Sequence, residues 1–326
     1  MSWVRPVDGG RAEVENEVSI KSDKIWMDGR LVNFEDANVH VLTHTLHYGY
    51  GAFEGIRAYR REDGQSHILR LKEHIKRLFE SAHILGLKIP FTPDDLVEAC
   101  VVTLKANKFD WGYLRPLVFM GSETMGLGAT SNSIRVAIPS WQWGAYLGSE
   151  ALKKGIRATV SSFSRSHINA NMVKGKICGQ YVNSVIAKRD AMTAGYDEAI
   201  MLDTNGYVSE CTGENIFMVK NQKLITPPYG SSILGGITRQ SVIDIAHDLG
   251  VTVEERTMTR DELYVADEIF LCGTAAEVTP VREIDGRIIG PGRPGEISSM
   301  IANTYFDIVK GSSPAHPEWR HPYSLT

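Results

Sequence analysis

The chain of 326 residues contains only four cysteines, and no two of them have the spacing of a zinc or redox pair. They are Cys100, Cys178, Cys211 and Cys272. This scatter argues against a disulfide framework, predicts no metal site and is typical of reduced thiols in a cytoplasm. The sequence also lacks a large excess of charge, with 35 Lys and Arg against 39 Asp and Glu and no basic block. A nucleic-acid-binding surface is therefore not expected.

Long hydrophobic runs are missing as well. Uncharged stretches such as 136–149 are short and interrupted by Ser, Gln and Gly, so no segment is predicted to span a bilayer. The N-terminus lacks the apolar run of a signal peptide. Hydrophobic residues nevertheless make up 43% of the chain and charged residues 23%, close to the average of a globular protein. We therefore expect a cytoplasmic protein of about two domains with a large buried core.

The sequence contains no Walker lysine, no GxSxG elbow and no HExxH motif, so the common NTPase and hydrolase signatures are absent. The glycine-rich segment 49–55 has the spacing GxGxxxG, without a clear strand before it or a helical pattern after it. Because a dinucleotide-binding loop needs both elements, this segment does not predict a nucleotide site.

Local patterns predict strands and helices in an order typical of an α+β fold. Asp-Gly pairs at 28–29 and 63–64 predict β-hairpins, since this dipeptide favours the two-residue turns that join antiparallel strands. Apolar residues at helical spacing predict helices over 75–85 and 180–193, and Thr92-Pro93 predicts the start of another helix. Strands and helices do not alternate strictly, which argues against a doubly wound sheet.

An aromatic, aperiodic segment divides the predicted fold into two domains. Residues 139–149 contain two tryptophans and a tyrosine, and we interpret them as an interdomain loop. Residues 1–138 then form a small N-terminal domain, in which 1–22 is a loosely ordered arm, and residues 150–326 form a larger domain. Aromatic residues at such a junction either pack between the domains or line a cleft.

A few residues have the chemistry of a site, although each also has an ordinary explanation. Lys176 lies among small and apolar residues, where a desolvated amine suits Schiff-base chemistry, or it is one of two plain loop lysines. The glycine turns before Thr238 and at Gly273 could hold a phosphate on backbone N–H groups, or be simple turns. Glu210 could be a buried carboxylate or a rim acid, and Arg77 a surface arginine. These residues alone do not specify a reaction.

Five segments in order along the chain resemble class IV aminotransferases, and the similarity runs from about residue 26 to 309. In particular, the FEGIR and GTAAExTP forms resemble the branched-chain amino acid aminotransferases within that class. The matching segments are 48–59, Lys176 with Tyr181 five residues later, 207–217, 236–239 and 273–281.

The resemblance implies fold type IV of the pyridoxal-phosphate enzymes, in which the cofactor lies in the cleft between a smaller N-terminal and a larger C-terminal α/β domain. It implies that Lys176 forms the Schiff base with pyridoxal 5′-phosphate and later moves the substrate's α-proton. Glu210 would face the pyridine nitrogen and keep it protonated. Tyr181 would hydrogen-bond the phenolic oxygen of the cofactor. The residues implied to bind the phosphate are Arg77, Ile237, Thr238 and Thr274.

The resemblance also implies a substrate pocket. The backbone of Thr274 and Ala275, with Tyr113, would bind the α-carboxylate, and Arg115 would bind the second carboxylate of glutamate or 2-oxoglutarate. The other implied pocket residues are Phe53, Trp143, Tyr146 and Gly213, with Tyr48 entering from a neighbouring subunit. The smallest active assembly would then be a homodimer, and the sequence does not decide between a dimer and a hexamer.

The resemblance predicts transfer of the amino group of leucine, isoleucine and valine to 2-oxoglutarate by a ping-pong mechanism. An enzyme for D-amino acids or (R)-primary amines is the main alternative, although retention of Tyr48, Phe53, Tyr113 and Arg115 argues against it. A lyase of the aminodeoxychorismate type or a non-catalytic binding protein are further alternatives. The loop 124–129 and the additional Trp141 depart from the family pattern and leave the side-chain preference open.

Overall fold

The structure is a computed structural model that describes residues 22–144 and 146–325. The predicted N-terminal arm, 1–22, lies outside the described residues except for Ser22, and so does Ala145 of the predicted interdomain loop.

The described residues form strands and helices in mixed order, as predicted for an α+β fold. The helices are α1 (His44–Tyr48), α2 (Leu71–Ile84), α3 (Pro93–Ala106), α4 (Ser149–Lys154), α5 (Tyr181–Thr193), α6 (Ile237–Asp248), α7 (Arg260–Tyr264) and α8 (Glu296–Val309). The strands are β1 (Lys24–Met27), β2 (Arg30–Asn33), β3 (Gly51–Phe53), β4 (Ile56–Arg60), β5 (Ser66–Leu69), β6 (Gly112–Leu114), β7 (Leu117–Met120), β8 (Ile134–Ile138), β9 (Ser140–Trp141), β10 (Ile156–Val160), β11 (Glu198–Leu202), β12 (Val208–Cys211), β13 (Asn215–Lys220), β14 (Lys223–Thr226), β15 (Val253–Glu255), β16 (Glu268–Gly273), β17 (Glu277–Ile284), β18 (Arg287–Ile288) and β19 (Arg320–Tyr323).

The first half of the chain builds two antiparallel sheets of five strands, in the orders β2-β1-β8-β7-β3 and β19-β5-β4-β6-β9. Both predicted hairpins are confirmed, with Met27 opposite Arg30 and Arg60 opposite Ser66. The predicted start of α3 is confirmed by a capping box, in which the Thr92 side chain accepts a hydrogen bond from the backbone of Asp95. Helices α2 and α3 pack on these sheets through a buried aliphatic core.

The second half builds a mixed sheet of nine strands in the order β12-β11-β10-β17-β16-β13-β14-β15, with β18 paired to β17. Successive residues of its central strands point to opposite faces, as strand geometry requires. Phe217 and Phe270 therefore pack with α6 and α8, whereas Ile216 and Leu271 belong to a separate apolar cluster. This architecture agrees with the predicted α+β fold.

Two strands pair with partners that the sequence pattern did not indicate. Strand β19, near the end of the chain, pairs with β5 in a sheet of the first half. Strand β9 lies inside the segment predicted to be an aperiodic loop, because Trp141 pairs with Tyr113 across an antiparallel ladder and their rings are 5.2 Å apart. The division into domains at 138 and 150 stays a prediction.

No helix among residues 22–144 and 146–325 is long and apolar enough to cross a membrane.

Candidate active site

A cavity lies where the two halves of the chain meet, and both halves supply its wall. The first half contributes the turn after β3, one face of α2 and strand β6. The second half contributes the loop before α5, the turn between β12 and β13, the start of α6 and the turn between β16 and β17. The residues that line it are Gly55, Arg77, Tyr113, Lys176, Glu210, Gly213, Glu214, Asn215, Leu234, Gly236, Ile237, Thr238, Cys272, Gly273, Thr274 and Ala275.

Lys176 is held at the cavity by both halves of the chain. Its backbone N–H donates to Ser81 Oγ at 2.9 Å, and its carbonyl accepts from Phe53 N at 3.1 Å. Its Nζ donates to Tyr181 Oη at 2.6 Å and lies 4.9 Å from the centre of the Phe53 ring. No carboxylate among the described residues forms an ion pair with it. The amine is therefore oriented by neutral groups and available to a ligand.

Lys174, the rival lysine, has a different role. Its Nζ donates to the carbonyl oxygens of Tyr229, Ser231 and Ile233 and so ties down the loop that precedes α6. It does not line the cavity. The structure thus leaves Lys176 as the candidate nucleophile.

Glu210 lies at the cavity wall on β12 and is 5% exposed. Its Oε1 accepts from Arg165 Nη2 at 2.6 Å, and its Oε2 accepts from Asn215 Nδ2 at 3.1 Å and Leu234 N at 3.0 Å. Burial raises the pKa of Glu210, while Arg165 and the Leu234 N–H oppose this shift by stabilising the carboxylate. The site therefore contains a fixed, buried acid with one cationic partner.

The first turn of α6 offers donors for an anion. No side chain of residues 22–144 or 146–325 caps this helix, so its first N–H groups, including those of the cavity-lining residues Ile237 and Thr238, have no capping partner there. In the described part of the chain, the hydroxyls of Thr238 and Thr274 also make no hydrogen bond. A Cβ on Gly236 would lie 1.9 Å from Asn215 Oδ1, so only glycine lets the chain enter the helix this close to the Glu210 network.

Arg77 lies beside this helix start and is fixed by a fully buried acid. Its Nε and Nη2 donate to the two carboxylate oxygens of Glu54 at 2.6 and 2.9 Å, and Nη1 donates to Gly235 O at 2.9 Å. His74 Nδ1 contacts the same carboxylate at 2.7 Å. Although burial favours the neutral acid, Arg77 and His74 hold the pKa of Glu54 well below its usual range.

A group of aromatic residues and Arg115 packs around Tyr113, which lines the cavity. The guanidinium of Arg115 lies 4.9 Å from the centre of the Phe53 ring and 5.4 Å from that of Tyr113, and it forms no ion pair with a carboxylate of the described residues. Trp143 packs edge-on against both Tyr113 and Tyr146, at 5.0 and 5.3 Å. A Cβ on Gly55 would lie 1.8 Å from Tyr113 Oη, so only glycine leaves enough space for that hydroxyl group.

Arg57 connects the aromatic segment to the turn after β16. Its guanidinium donates to the carbonyl oxygens of Trp143, Gly144, Thr274 and Ala275 at 2.8–2.9 Å. It is 5% exposed, and no carboxylate among the described residues pairs with it. Arg57 therefore connects the turn at 274–275 to the segment at 143–144 through backbone carbonyl oxygens.

Tyr48 does not line the cavity of its own subunit. It lies at the end of α1, is 42% exposed and packs against His44, with ring centres 4.6 Å apart. The other residues predicted from the resemblance line the cavity or contact a residue that does, except Tyr146. Tyr146 reaches the site through Trp143, which packs on the lining residue Tyr113.

Comparisons with known proteins agree with this geometry. The family model for class IV amino-transferases matches residues 51–284. The chain belongs to the class IV aminotransferase family. A branched-chain-amino-acid aminotransferase from Pseudomonas aeruginosa is 49% identical over 296 residues, which cover 91% of this chain and 96% of the relative. One from Escherichia coli K12 is 44% identical over 90% of this chain and 95% of the relative.

Solved structures give the same result for this class IV aminotransferase. The crystal structure of the Escherichia coli branched-chain amino acid aminotransferase has a TM-score of 0.91 at 42% identity, covering 94% of this chain and 100% of that one. The T.th. branched-chain amino acid aminotransferase with pyridoxamine 5′-phosphate has a TM-score of 0.90 at 45% identity, with the same coverage. The fold is therefore fold type IV, as predicted.

The residues at the cavity of this class IV aminotransferase fit pyridoxal 5′-phosphate. A phosphate dianion needs several fixed donors, and the start of α6, Thr238, Thr274 and Arg77 provide them on one side of the cavity. The cofactor's carbonyl needs an amine, and Lys176 supplies one without a competing ion pair. The ring nitrogen of the cofactor needs an acidic partner, and Glu210 is the buried carboxylate in the same wall of the cavity.

Several residues of the site carry no role in the sequence interpretation. Glu54, Arg57 and Glu214 lie within the matching segments, and each is a charged residue among buried neighbours, which is a signal for a buried network. Arg165 lies in no matching segment, and its partner Glu210 is 45 positions away. Its contact could not be inferred from local sequence.

Proposed function

We propose that this protein transfers the amino group of leucine, isoleucine and valine to 2-oxoglutarate, with pyridoxal 5′-phosphate as its cofactor. The observation that carries the proposal is the cavity itself, which combines the Lys176 amine, the buried Glu210 and the donors at the start of α6. Its lining residue Tyr113 contacts Arg115, whose guanidinium also lies over the Phe53 ring. The relatives are named branched-chain aminotransferases, which supports this substrate class over D-amino acids or (R)-primary amines.

Complexes of a solved relative support both kinds of substrate. The T.th. enzyme is described in complexes with 4-methylvaleric acid and with N-(5′-phosphopyridoxyl)-L-glutamate. These ligands carry a branched aliphatic chain and an acidic chain. For the present chain we assign the aliphatic side chain to the rings of Phe53, Trp143 and Tyr146, and the acidic one to Arg115, which has no competing carboxylate partner among the described residues.

The cofactor, when bound, supplies the carbonyl that exchanges for the amino group and a ring that withdraws electrons from the substrate's Cα. Lys176 Nζ moves the proton at Cα, and Tyr181 Oη orients that nitrogen from 2.6 Å. Glu210, with its carboxylate stabilised by Arg165, holds a proton at the ring nitrogen. The N–H groups of Thr274 and Ala275, with Tyr113, bind the α-carboxylate, and Arg77 and Thr238 bind the phosphate.

We propose that the protein forms a homodimer, and the exposed apolar surface supports this part of the proposal. On α5, Val182, Val185 and Ile186 are 62%, 53% and 41% exposed, and on α1 Leu46 is 63% exposed. Apolar side chains grouped on a helix face in this way usually meet another subunit. Tyr48, at the end of α1, would then reach the partner's cavity. Light scattering with Val185→Glu is expected to show a smaller particle, and the mass of the unaltered protein will distinguish dimer from hexamer.

A half-reaction without an amino acceptor tests the proposed activity. L-leucine should convert the absorption band of the loaded enzyme to that of the pyridoxamine form, whereas D-alanine and an (R)-arylalkylamine should leave it unchanged. Lys176→Ala should lose this conversion, and Lys174→Ala is the matched control that keeps it. A band that D-alanine or the amine converts while L-leucine does not would contradict the substrate assignment.

A further inference from the structure

Four residues in and behind the cavity wall form a cluster to which the proposed reaction assigns no role in catalysis. Glu214 lines the cavity and is 4% exposed, and Glu198 on β11 is fully buried. Lys188 on α5 donates to Glu198 Oε2 at 2.5 Å, and its Nζ lies 5.5 Å from the centre of the Tyr146 ring. We call Tyr146, Lys188, Glu198 and Glu214 the Glu214 cluster.

The two carboxyl groups of the Glu214 cluster have unequal partners. Glu198 accepts from Lys188 Nζ, from Thr212 Oγ1 at 2.5 Å and from Ala199 N at 2.9 Å. Glu214 accepts one hydrogen bond within the described residues, from the neighbouring Gly213 N at 3.1 Å. One lysine neutralises one carboxylate, and the contacts assign it to Glu198. The cluster is therefore neutral only when Glu214 carries a proton.

The groups that surround Glu214 favour its protonated form and add no further charge to the Glu214 cluster. Burial, followed by the nearby Glu198, raises the pKa of Glu214 to about 8, and Lys188 opposes the shift. Burial also raises the pKa of Tyr146 to about 12 and the pKa values of Cys211 and Cys272, so these groups stay neutral. The titratable groups that face Glu214 are Lys188 from α5, Glu198 from β11, Glu210 and Cys211 from β12, Cys272 from β16 and Tyr146.

The charge on Glu214 matters because the cavity must receive anions. A branched-chain substrate enters with one carboxylate, whereas glutamate and 2-oxoglutarate enter with two. An ionised Glu214 in the wall repels each of these charges through a medium of low dielectric constant, and the repulsion grows with the charge of the ligand. A protonated Glu214 adds no such penalty.

We propose that Glu214 is a specificity-determining residue, which takes up a proton from solvent when an anionic substrate binds and which, when ionised, selects against substrates with two carboxylates more strongly than against those with one. This inference rests on the proposed function, since that function supplies the two classes of substrate.

Calorimetry on the pyridoxamine form of the holoenzyme tests the inference with two unreactive ligands, glutarate with two carboxylates and 4-methylvalerate with one. Titrations in buffers of different ionisation enthalpy measure how many protons are taken up on binding. We expect uptake near pH 8, larger for glutarate. The Kd of glutarate should rise about 5- to 10-fold between about pH 7 and about pH 9, and that of 4-methylvalerate should rise less.

Two variants separate the charge of Glu214 from its packing. Glu214→Gln should abolish the proton uptake and flatten the pH dependence of Kd. Glu198→Gln removes the repelling charge and frees Lys188 to pair with Glu214, so the uptake should move to lower pH. Glu283→Gln, a matched change on β17 where the acid pairs with Arg157, should leave the uptake as in the wild type.

The possible results have different consequences. A purely structural role of Glu214 would weaken binding of both ligands in Glu214→Gln and leave the proton uptake unchanged, which would overturn the inference. Equal uptake for glutarate and 4-methylvalerate in the wild type would overturn the selectivity. If neither ligand binds the wild-type holoenzyme at any pH, the proposed function itself fails, and this inference fails with it.

Discussion

Replacing Arg57 with methionine should weaken the binding of every substrate carboxylate, although Arg57 does not line the cavity. The side chain is 5% exposed and donates to four carbonyl oxygens, two in the turn at 274–275 and two in the segment at 143–144. Methionine fills a similar volume and donates nothing. The turn at 274–275, which is proposed to bind the α-carboxylate, then loses its hydrogen bonds to Arg57 and its connection to the aromatic segment.

The size of the effect follows from these contacts. A hydrogen bond from a charged donor contributes about 1.5–3 kcal/mol, and a buried carbonyl left without a partner costs about 1–3 kcal/mol. Four such bonds do not add, since the loop can move and water can enter, so we expect a loss of about 2–4 kcal/mol, shared between stability and binding. If half of it appears in binding, KM rises roughly 5- to 30-fold.

Half-reaction kinetics with leucine and, separately, with 2-oxoglutarate provide the assay. Both KM values should rise together, because the same turn is proposed to bind the α-carboxylate of both substrates, and kcat should fall less. Arg61→Met is the matched control, since Arg61 donates to the carbonyls of Ile308 and Ser313, which do not line the cavity. Equal KM changes in both variants, or a change for one substrate only, would refute this reasoning.

Three further predictions concern other charged groups. Arg115→Met should lower kcat/KM for 2-oxoglutarate about 100-fold and that for leucine by less than about 10-fold, since the lost partner is a second carboxylate. Glu54→Gln should destabilise the protein by about 3–5 kcal/mol, measured by urea unfolding, because Arg77 keeps its charge without a counter-ion. Glu54→Gln should also reduce the loss of stability in acid. Because the pKa of Glu54 is lower in the folded protein than in the unfolded chain, its carboxylate stabilises the fold at pH above the ordinary pKa of a glutamate, and this stabilisation is lost as pH falls. The ring of His67 is buried and makes no hydrogen bond to another described residue. Burial lowers its pKa to about 4, so the free energy of unfolding should fall by about 3 kcal/mol as pH drops from 6.5 to 4, and His67→Phe should lose this dependence.

The sequence predicts the residues that follow from local pattern and motif spacing. The hairpin turns and the start of α3 depend on neighbouring residues, and the structure confirms them. Lys176 can be distinguished from Lys174 by its spacing to Tyr181, and in the structure these two side chains are in contact. The contacts that hold the site together connect distant positions. Arg57 and Ala275 are 218 positions apart, so no local pattern signals their hydrogen bond.

The strand at Ser140–Trp141 shows why composition misleads at the junction of the halves. An aromatic segment without periodicity predicts a loop, but a strand of two residues is too short to show alternation. Its partner β6 supplies the ladder, and Trp141 then packs on Tyr113 beside Arg115. A residue that departs from the family pattern is thereby placed next to the arginine assigned to acidic substrates.

The charges around the cavity are balanced in a way that selects for anions. Three buried carboxylates in or behind its wall are each neutralised by a cation, in the pairs Glu54 with Arg77, Glu210 with Arg165 and Glu198 with Lys188. These ion pairs hold the side chains in position, but because each pair is neutral it does not attract an anionic ligand. The cations of the site that lack a carboxylate partner within the described residues are Arg57, Arg115 and Lys176.

Of these three cations, Arg57 donates four hydrogen bonds to carbonyl oxygens. Lys176 contacts a tyrosine hydroxyl, and Arg115 contacts aromatic rings. A carboxylate of a ligand can therefore pair with Arg115 without breaking an existing ion pair. Because the cation is partly buried, salt should screen this attraction less than that of a surface arginine. The affinity of glutarate should accordingly fall only slightly between low and physiological ionic strength, and a steep fall would indicate that Arg115 is solvated rather than enclosed by its aromatic neighbours.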